Sequence, residues 1–206
     1  MFVRTTTVIG DPTGIDRATA LLRDEAMPML ARLDGFVGLS SLVDRHTGRC
    51  ITASAWQSAQ AMRDSEAPTG AFRGRYVAAL GGEETALEEW EVALMHRAHH
   101  ATEGSAARVT WLEGDVYTID DSIDVYRSSM ATLEGLPGFA SASLLIDRRT
   151  AQAASTVCYD TRAALERNRT RANEVRARIA EQSGVEVIEV AEFEVALAHL
   201  AVPELV

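Results

Sequence analysis

The spacing of apolar residues changes in a regular order along this chain. Residues 3–9 are rich in Val and Thr and predict a strand. The run Gly10-Asp11-Pro12-Thr13-Gly14 ends it. Ile15, Ala18, Leu22, Ala26, Met29 and Leu33 then fall three or four apart, which puts them on one face of a helix over 15–33. Two strands follow, 36–43 and 50–56, joined by the turn Asp44-Arg45-His46-Thr47-Gly48. Ser58 stands where a side-chain oxygen caps a second helix. Pro68-Thr69-Gly70 is expected to break or kink that helix. A strand over 86–95 closes the series.

The same series then returns. Gly35-Phe36-Val37 recurs 103 positions later as Gly138-Phe139-Ala140, Leu42-Val43-Asp44-Arg45 as Leu145-Ile146-Asp147-Arg148, and Glu89-Trp90-Glu91-Val92-Ala93-Leu94 as Glu192-Phe193-Glu194-Val195-Ala196-Leu197. That offset also sets Thr7 against Thr110 and Met27 against Met130. Ile119, Ile123, Tyr126, Met130 and Leu133 repeat the first helical stripe, and Thr161 repeats the cap, with an uninterrupted helix expected to about Gln182. The chain is therefore read as repeat 1 over 1–97, a polar linker over 98–106 and repeat 2 over 107–206. Each repeat has the order β-α-β-β-α-β, a ferredoxin-like unit of the α+β class. Helices cover one face of each four-stranded sheet, and the tandem copy is the expected cover for the other, giving an intramolecular pseudo-dimer of barrel type.

Period-two alternation sorts the strand residues by face. Cys50, Thr52, Ser54 and Trp56 share one side of the third strand. On the last strand of each repeat the uncharged side, Trp90, Val92 and Leu94, or Phe193, Val195 and Leu197, is assigned to the helices. Glu89, Glu91, Glu192 and Glu194 then fall on the opposite face.

Composition narrows the partners. Thirty acidic against 20 basic side chains give a net charge of −10, and every basic residue outside the histidines is Arg. Such a surface repels phosphate backbones and anionic lipid, so neither nucleic acid nor membrane is expected as a partner. No apolar run approaches the ~20 residues that span a bilayer, and the N-terminal residues lack a secretory pattern, so the cytoplasm is the expected location. Cys50 and Cys158 occupy non-equivalent positions in the two repeats and do not form a disulfide framework.

The segment Ala55-Trp56-Gln57-Ser58-Ala59-Gln60-Ala61, with its partner Tyr159-Asp160-Thr161-Arg162-Ala163-Ala164, resembles the aromatic-x-Ser-x-x-Ala stretch of antibiotic biosynthesis monooxygenase-like domains in the dimeric α/β-barrel superfamily. The resemblance covers nearly the whole chain, twice. It implies either cofactor-independent oxygenation of polycyclic phenols and quinol-type molecules or haem degradation. The haem-degrading branch uses an Asn on the first strand, a Trp ending the third and a His on the second helix. Only Trp56 matches; Thr7 and Thr110 stand near the Asn place, and neither second helix carries a His. Haem degradation is disfavoured, and no cofactor or metal is expected.

Several side chains then become candidates. Trp56 and Tyr159 stack on a planar substrate in a lumen, or simply pack the core. Thr7, Thr52, Ser54, Thr110 and Ser155 offer hydroxyls that orient a phenol or carbonyl, although none has the neighbouring base that makes a nucleophile. Arg73, Arg75 and Tyr76, beyond the Pro68-Gly70 break, are placed to stabilise an anionic intermediate. Of these, Trp56, Arg73 and Tyr76 are the catalytic candidates, and Thr7, Ser54, Trp56, Thr110 and Tyr159 the substrate-binding ones. His96, His99 and His100 have a helical ligand spacing but lie in or beside the linker, where solvation is the simpler role. Three functions stay open: a cofactor-independent monooxygenase acting on a small planar aromatic or quinol, a non-catalytic small-molecule binder, and a structural pseudo-dimer that assembles further as a homodimer.

Overall fold

A computed structural model describes residues 1–200 and 203–205. Repeat 1 runs β1 (Phe2–Ile9), α1 (Ile15–Leu21), a π turn (Leu22–Ala26), α2 (Met27–Leu30), β2 (Phe36–Val43), β3 (Arg49–Trp56), α3 (Ala59–Asp64), α4 (Glu66–Leu80) and β4 (Glu83–Arg97). Repeat 2 runs β5 (Ala106–Glu113), α5 (Ile119–Ser128), α6 (Met130–Glu134), β6 (Phe139–Asp147), β7 (Gln152–Tyr159), α7 (Arg162–Arg167), α8 (Arg169–Ser183) and β8 (Glu186–Leu200). The β-α-β-β-α-β order is present twice. The order of hydrogen-bonded strands is β1-β3-β2-β8-β5-β7-β6-β4.

The compact units do not coincide with the sequence repeats. One unit is Met1–Trp90 with the part of β8 from Glu194 onward; the other is Glu91–Phe193 with the residues from Pro203. The reason is the length of β4 and β8, 15 residues each. The first half of each completes the unit of its own repeat, and the second half continues into the other unit. Thus β2 pairs with β8 over Glu194–Leu200, and β6 pairs with β4 over Glu91–Arg97.

These exchanges carry bulges, between Val92 and Leu94 on β4 and at the Ser41/Leu42 register step beside β8. A bulge inserts one residue and reverses which face the following side chains take. The expected side assignment for the last strands therefore fails before the bulges and holds beyond them, at Leu94 and Leu197. Trp90 donates from Nε1 to Thr5 Oγ1 at 2.9 Å, on the sheet face turned away from the helices, while Leu94, beyond the bulge, belongs to the helix-covered core of the second unit. The glutamates are salt-bridged: Glu89 to Arg4, Glu91 to Arg148, Glu192 to Arg108 and Glu194 to Arg45.

Two helix expectations also change. α4 runs straight through Pro68-Thr69-Gly70, because Pro68 lies in the first turn, where a backbone N–H has no acceptor to lose. The break falls at Ser65, and repeat 2 has the same break at Asn168 in place of an uninterrupted helix. The first helix meanwhile ends at Leu30 rather than Leu33 and contains a π turn. Strand register gives that turn a meaning. Phe2 faces Trp56 as Ala106 faces Tyr159, so β1 and β5 correspond at an offset of 104, not 103. Repeat 1 holds one extra residue before Met27, and a π turn is how a helix absorbs one.

The resemblance motif has a structural explanation. Gly35 and Gly138 have φ of 75° and 79°, and a Cβ on either would lie within 2.8 Å of Ala61 Cβ or Ala164 Cβ. Their carbonyls accept from Gln57 N and Asp160 N at 2.8 Å, while Ser58 and Thr161 cap α3 and α7. Gly-Phe and aromatic-x-Ser-x-x-Ala are thus two halves of one close contact between a turn and a helix start.

Candidate functional site

Each unit has a cavity between its sheet and its helices. In the first unit, of about 60 Å³, the floor is Arg4 and Thr6 of β1, Leu39 of β2, and Thr52 and Ser54 of β3. Leu22, Ala26 and Leu30 cover it from the first helix, and Phe72, Arg73 and Tyr76 from α4. In the second unit, of about 50 Å³, Arg108, Thr110, Ser155, Val157 and Tyr159 form the floor, with Tyr126, Leu133, Val175, Arg176 and Ile179 above. Apolar walls with a few convergent polar groups are the usual make-up of a small-molecule site.

The structure gathers most of the sequence candidates. Ser54, Arg73 and Tyr76 line the first cavity, and Thr110 and Tyr159 the second. Trp56 lies behind the wall, fully buried, with Nε1 donating to Ser54 Oγ at 3.1 Å and its ring edge-on to Phe36. Thr7 is not in the lining. Thr6 faces Thr52 as Thr110 faces Ser155, so Thr6 is the counterpart of Thr110. Thr7 lies on the opposite side of β1, where its carbonyl accepts from Thr85. Arg75 is exposed and pairs with Glu25. His96 bonds Glu134 and Glu204, His99 bonds Asp160, and among the described residues no cluster could hold a metal.

Sequence reading missed Arg4 and Arg108. They are equivalent by register, facing Ser54 and Val157. A constant offset of 103 hides the match, whereas Arg at alternating positions with Thr on both first strands was the available signal. Arg4 is 6% exposed. It donates to Glu89 at 2.6 Å and meets Glu66 at 2.8 Å. Arg73 pairs with Glu66 at 2.7 Å and with Glu84 at 3.0 Å. The bond from Arg73, then the charge of Arg4, hold the Glu66 carboxyl below its ordinary range.

Burial shifts the thiol and phenols beside the cavities. It pushes Cys50 up to about 11 and lifts Tyr76 well above the usual phenol range, the nearby thiol adding to the second shift. The Tyr76 hydroxyl lies among Ser41, Cys50 and Thr52, yet Ser41 Oγ and Thr52 Oγ1 make no hydrogen bond of normal geometry. In the second unit Tyr126 meets Ser155 Oγ at 2.7 Å, and burial raises the phenol to about 12. Each cavity therefore sets a neutral phenol against the same floor position, Thr52 or Ser155, from a different helix.

Each repeat has a ferredoxin-like fold, and solved structures share it. The structure resembles that of an anthrone oxidase-like protein, with a TM-score of 0.65 at 16% identity over 99% of this chain and 95% of that one. It also resembles a Listeria monocytogenes ferredoxin fold protein related to antibiotic biosynthesis monooxygenases, with a TM-score of 0.53 at 8% identity over 94% of each chain. No family model matches the chain. In sequence it is 44% identical to "Uncharacterized protein Rv2557" of Mycobacterium tuberculosis over 207 residues, covering 100% of this chain and 92% of the relative. The chain belongs to the family of that mycobacterial protein. Among the described residues no helix is long and apolar enough to cross a membrane.

Proposed function

We propose that the first unit binds a small planar aromatic or quinol-type molecule and oxidises it with dioxygen without a cofactor, in the cytoplasm. The observation that carries this reading is the pairing of two guanidiniums, Arg4 and Arg73, with an apolar wall of Leu22, Leu30, Leu39 and Phe72. Oxygen reacts with an electron-rich carbanion or phenolate, not with the neutral phenol. A cation beside the substrate oxygen lowers its pKa and holds the anion in a partly dry site. Tyr76 stays neutral and serves as a hydrogen-bond donor to the substrate. Trp56 fixes the Ser54 hydroxyl from behind, and Thr6 takes the floor role expected for Thr7. For an anthrone-type substrate the balance is one CH2 oxidised to C=O by one O2, with one water released.

The test is an oxygen electrode with a panel of anthrones and hydroquinones, chelator present and no flavin or metal added. Uptake above the spontaneous rate is expected, falling roughly 100-fold in Arg73→Gln, the loss typical of removing one oxyanion donor. Absence of both uptake and ligand-induced stabilisation sinks the reading. One observation favours a second function, that of a non-catalytic binder. Both arginines of this cavity are already paired with carboxylates, and burial keeps Tyr76 and Cys50 protonated near neutral pH, so no side chain here is poised as a base. Ligand-induced stabilisation without oxygen uptake would select it.

A further inference from the structure

The two cavities are built on one plan but differ in charge. In the first, Glu66, Glu84 and Glu89 neutralise Arg4 and Arg73. The second keeps both arginines, as Arg108 and Arg176, but Arg169 stands at the place of Glu66 and Val187 at the place of Glu84. The one remaining carboxylate, Glu192, is shared by Arg108, Arg162 and Arg169 at 2.8, 2.8 and 2.9 Å. The Arg108 side chain is 6% exposed and lines the cavity, and its Nη1 has no hydrogen-bond partner. Arg176 also lines the cavity and has no carboxylate partner among the described residues; burial and the charge of Arg108 both weigh against its protonated form. A buried guanidinium with an orphaned N–H, beside a second unpaired cation, is costly unless something anionic completes it.

We propose that the cavity of the second unit is a binding site for a small carboxylate with an apolar body, its carboxylate received by Arg108 Nη1 and Arg176. A planar carboxylate suits a guanidinium because two acceptors meet two donors in one plane. Leu133, Val175 and Ile179 cover the apolar body, and Tyr126 presents a neutral hydroxyl. Inorganic anions would satisfy the charge but waste the apolar wall. The site does not depend on oxygen chemistry in the first unit, so failed oxygen uptake leaves it standing.

The experiment is calorimetric titration of the full chain with benzoate, with benzamide as the neutral isostere and sulfate as the inorganic anion. Saturable benzoate binding at one site is expected, with benzamide and sulfate each at least about 10-fold weaker, since a charge-assisted bond contributes that factor. Arg176→Gln should weaken benzoate about 10-fold or more without lowering the melting temperature, because that side chain has no carboxylate partner to lose among the described residues. Val187→Glu, which restores the carboxylate found at Glu84, should remove binding in a folded protein. The proposal is overturned if wild type shows no saturable benzoate binding, if sulfate binds as well as benzoate, or if both variants bind benzoate as wild type does.

Discussion

At the scale of single residues, the groups that set the chemistry are those whose charge is suppressed or stranded by burial. Cys50 is fully buried, and its thiol is raised from an unfolded value near 9 to about 11. Below pH 9 the thiol is protonated in both states, so stability is unaffected there. Between pH 9 and 11 the unfolded chain releases the proton and the folded chain cannot, so stability falls by about 2 kcal/mol. Thermal melts across that window should show the decline, and Cys50→Ala should make it shallower, the part due to the likewise raised Cys158 thiol remaining. An unchanged profile in the variant would mean that the thiol is not the titrating group. Trp56 and Tyr159 illustrate the opposite limit. Their aromatic character was plain in sequence, but Trp56 supports the wall and Tyr159 is part of it, a difference of one shell of packing that no pattern along the chain records.

At the scale of elements, local signals worked where the chain answers only to its own neighbours. Ser58 and Thr161 cap helices as their position implies, donors and acceptors lying three residues apart. Strands with clean alternation formed as expected. The failures are equally specific. Pro68 predicts a break, but a proline in the first turn leaves no helix hydrogen bond unmade. The actual break at Asn168 was invisible, because Asn is an ordinary helix residue until its amide finds acceptors elsewhere. Asn168 Nδ2 donates to Ala164 O at 2.9 Å and to Pro137 O at 2.8 Å, tying the α7–α8 bend to the turn before β6. Asn168→Ala should therefore destabilise by about 1–3 kcal/mol, measurable by urea denaturation, the amount expected for two buried carbonyls left without a donor. A loss under 0.5 kcal/mol, the range of an ordinary surface change, would show that the bend is held by packing alone.

At the scale of the whole molecule, β4 and β8 each serve two units. Residues 1–97 alone would leave β2 without the strand segment from Glu194, and residues 107–206 alone would leave β6 without Glu91–Arg97. Unpaired edges of that kind seek partners. The two fragments, co-expressed, should co-purify as a one-to-one complex, whereas either fragment alone should self-associate or aggregate. Two independently monomeric, folded fragments would contradict the exchange. The same fusion lets the cavities differ, since covalently joined copies need not keep identical residues. The contrast between Glu66 and Arg169 is the clearest product of that freedom.

Periodicity, caps and the recurrence of Gly-Phe were legible along the chain because helix and strand faces follow from neighbours three, four or two residues away. They sufficed for the element order, the duplication and the α+β class. The cavities were legible only in part: Ser54, Arg73, Tyr76, Thr110 and Tyr159 lie on them, while Arg4, Arg108 and Arg176 were passed over. A one-residue π turn shifted the register between copies, and two bulges reversed the faces of the last strands. Such single-residue shifts scarcely alter a hydrophobic pattern, yet each turns side chains from one face to the other. Which guanidiniums meet carboxylates, and which are left in a cavity without one, depends on contacts between strands and helices far apart in the chain, and only the folded structure settles it.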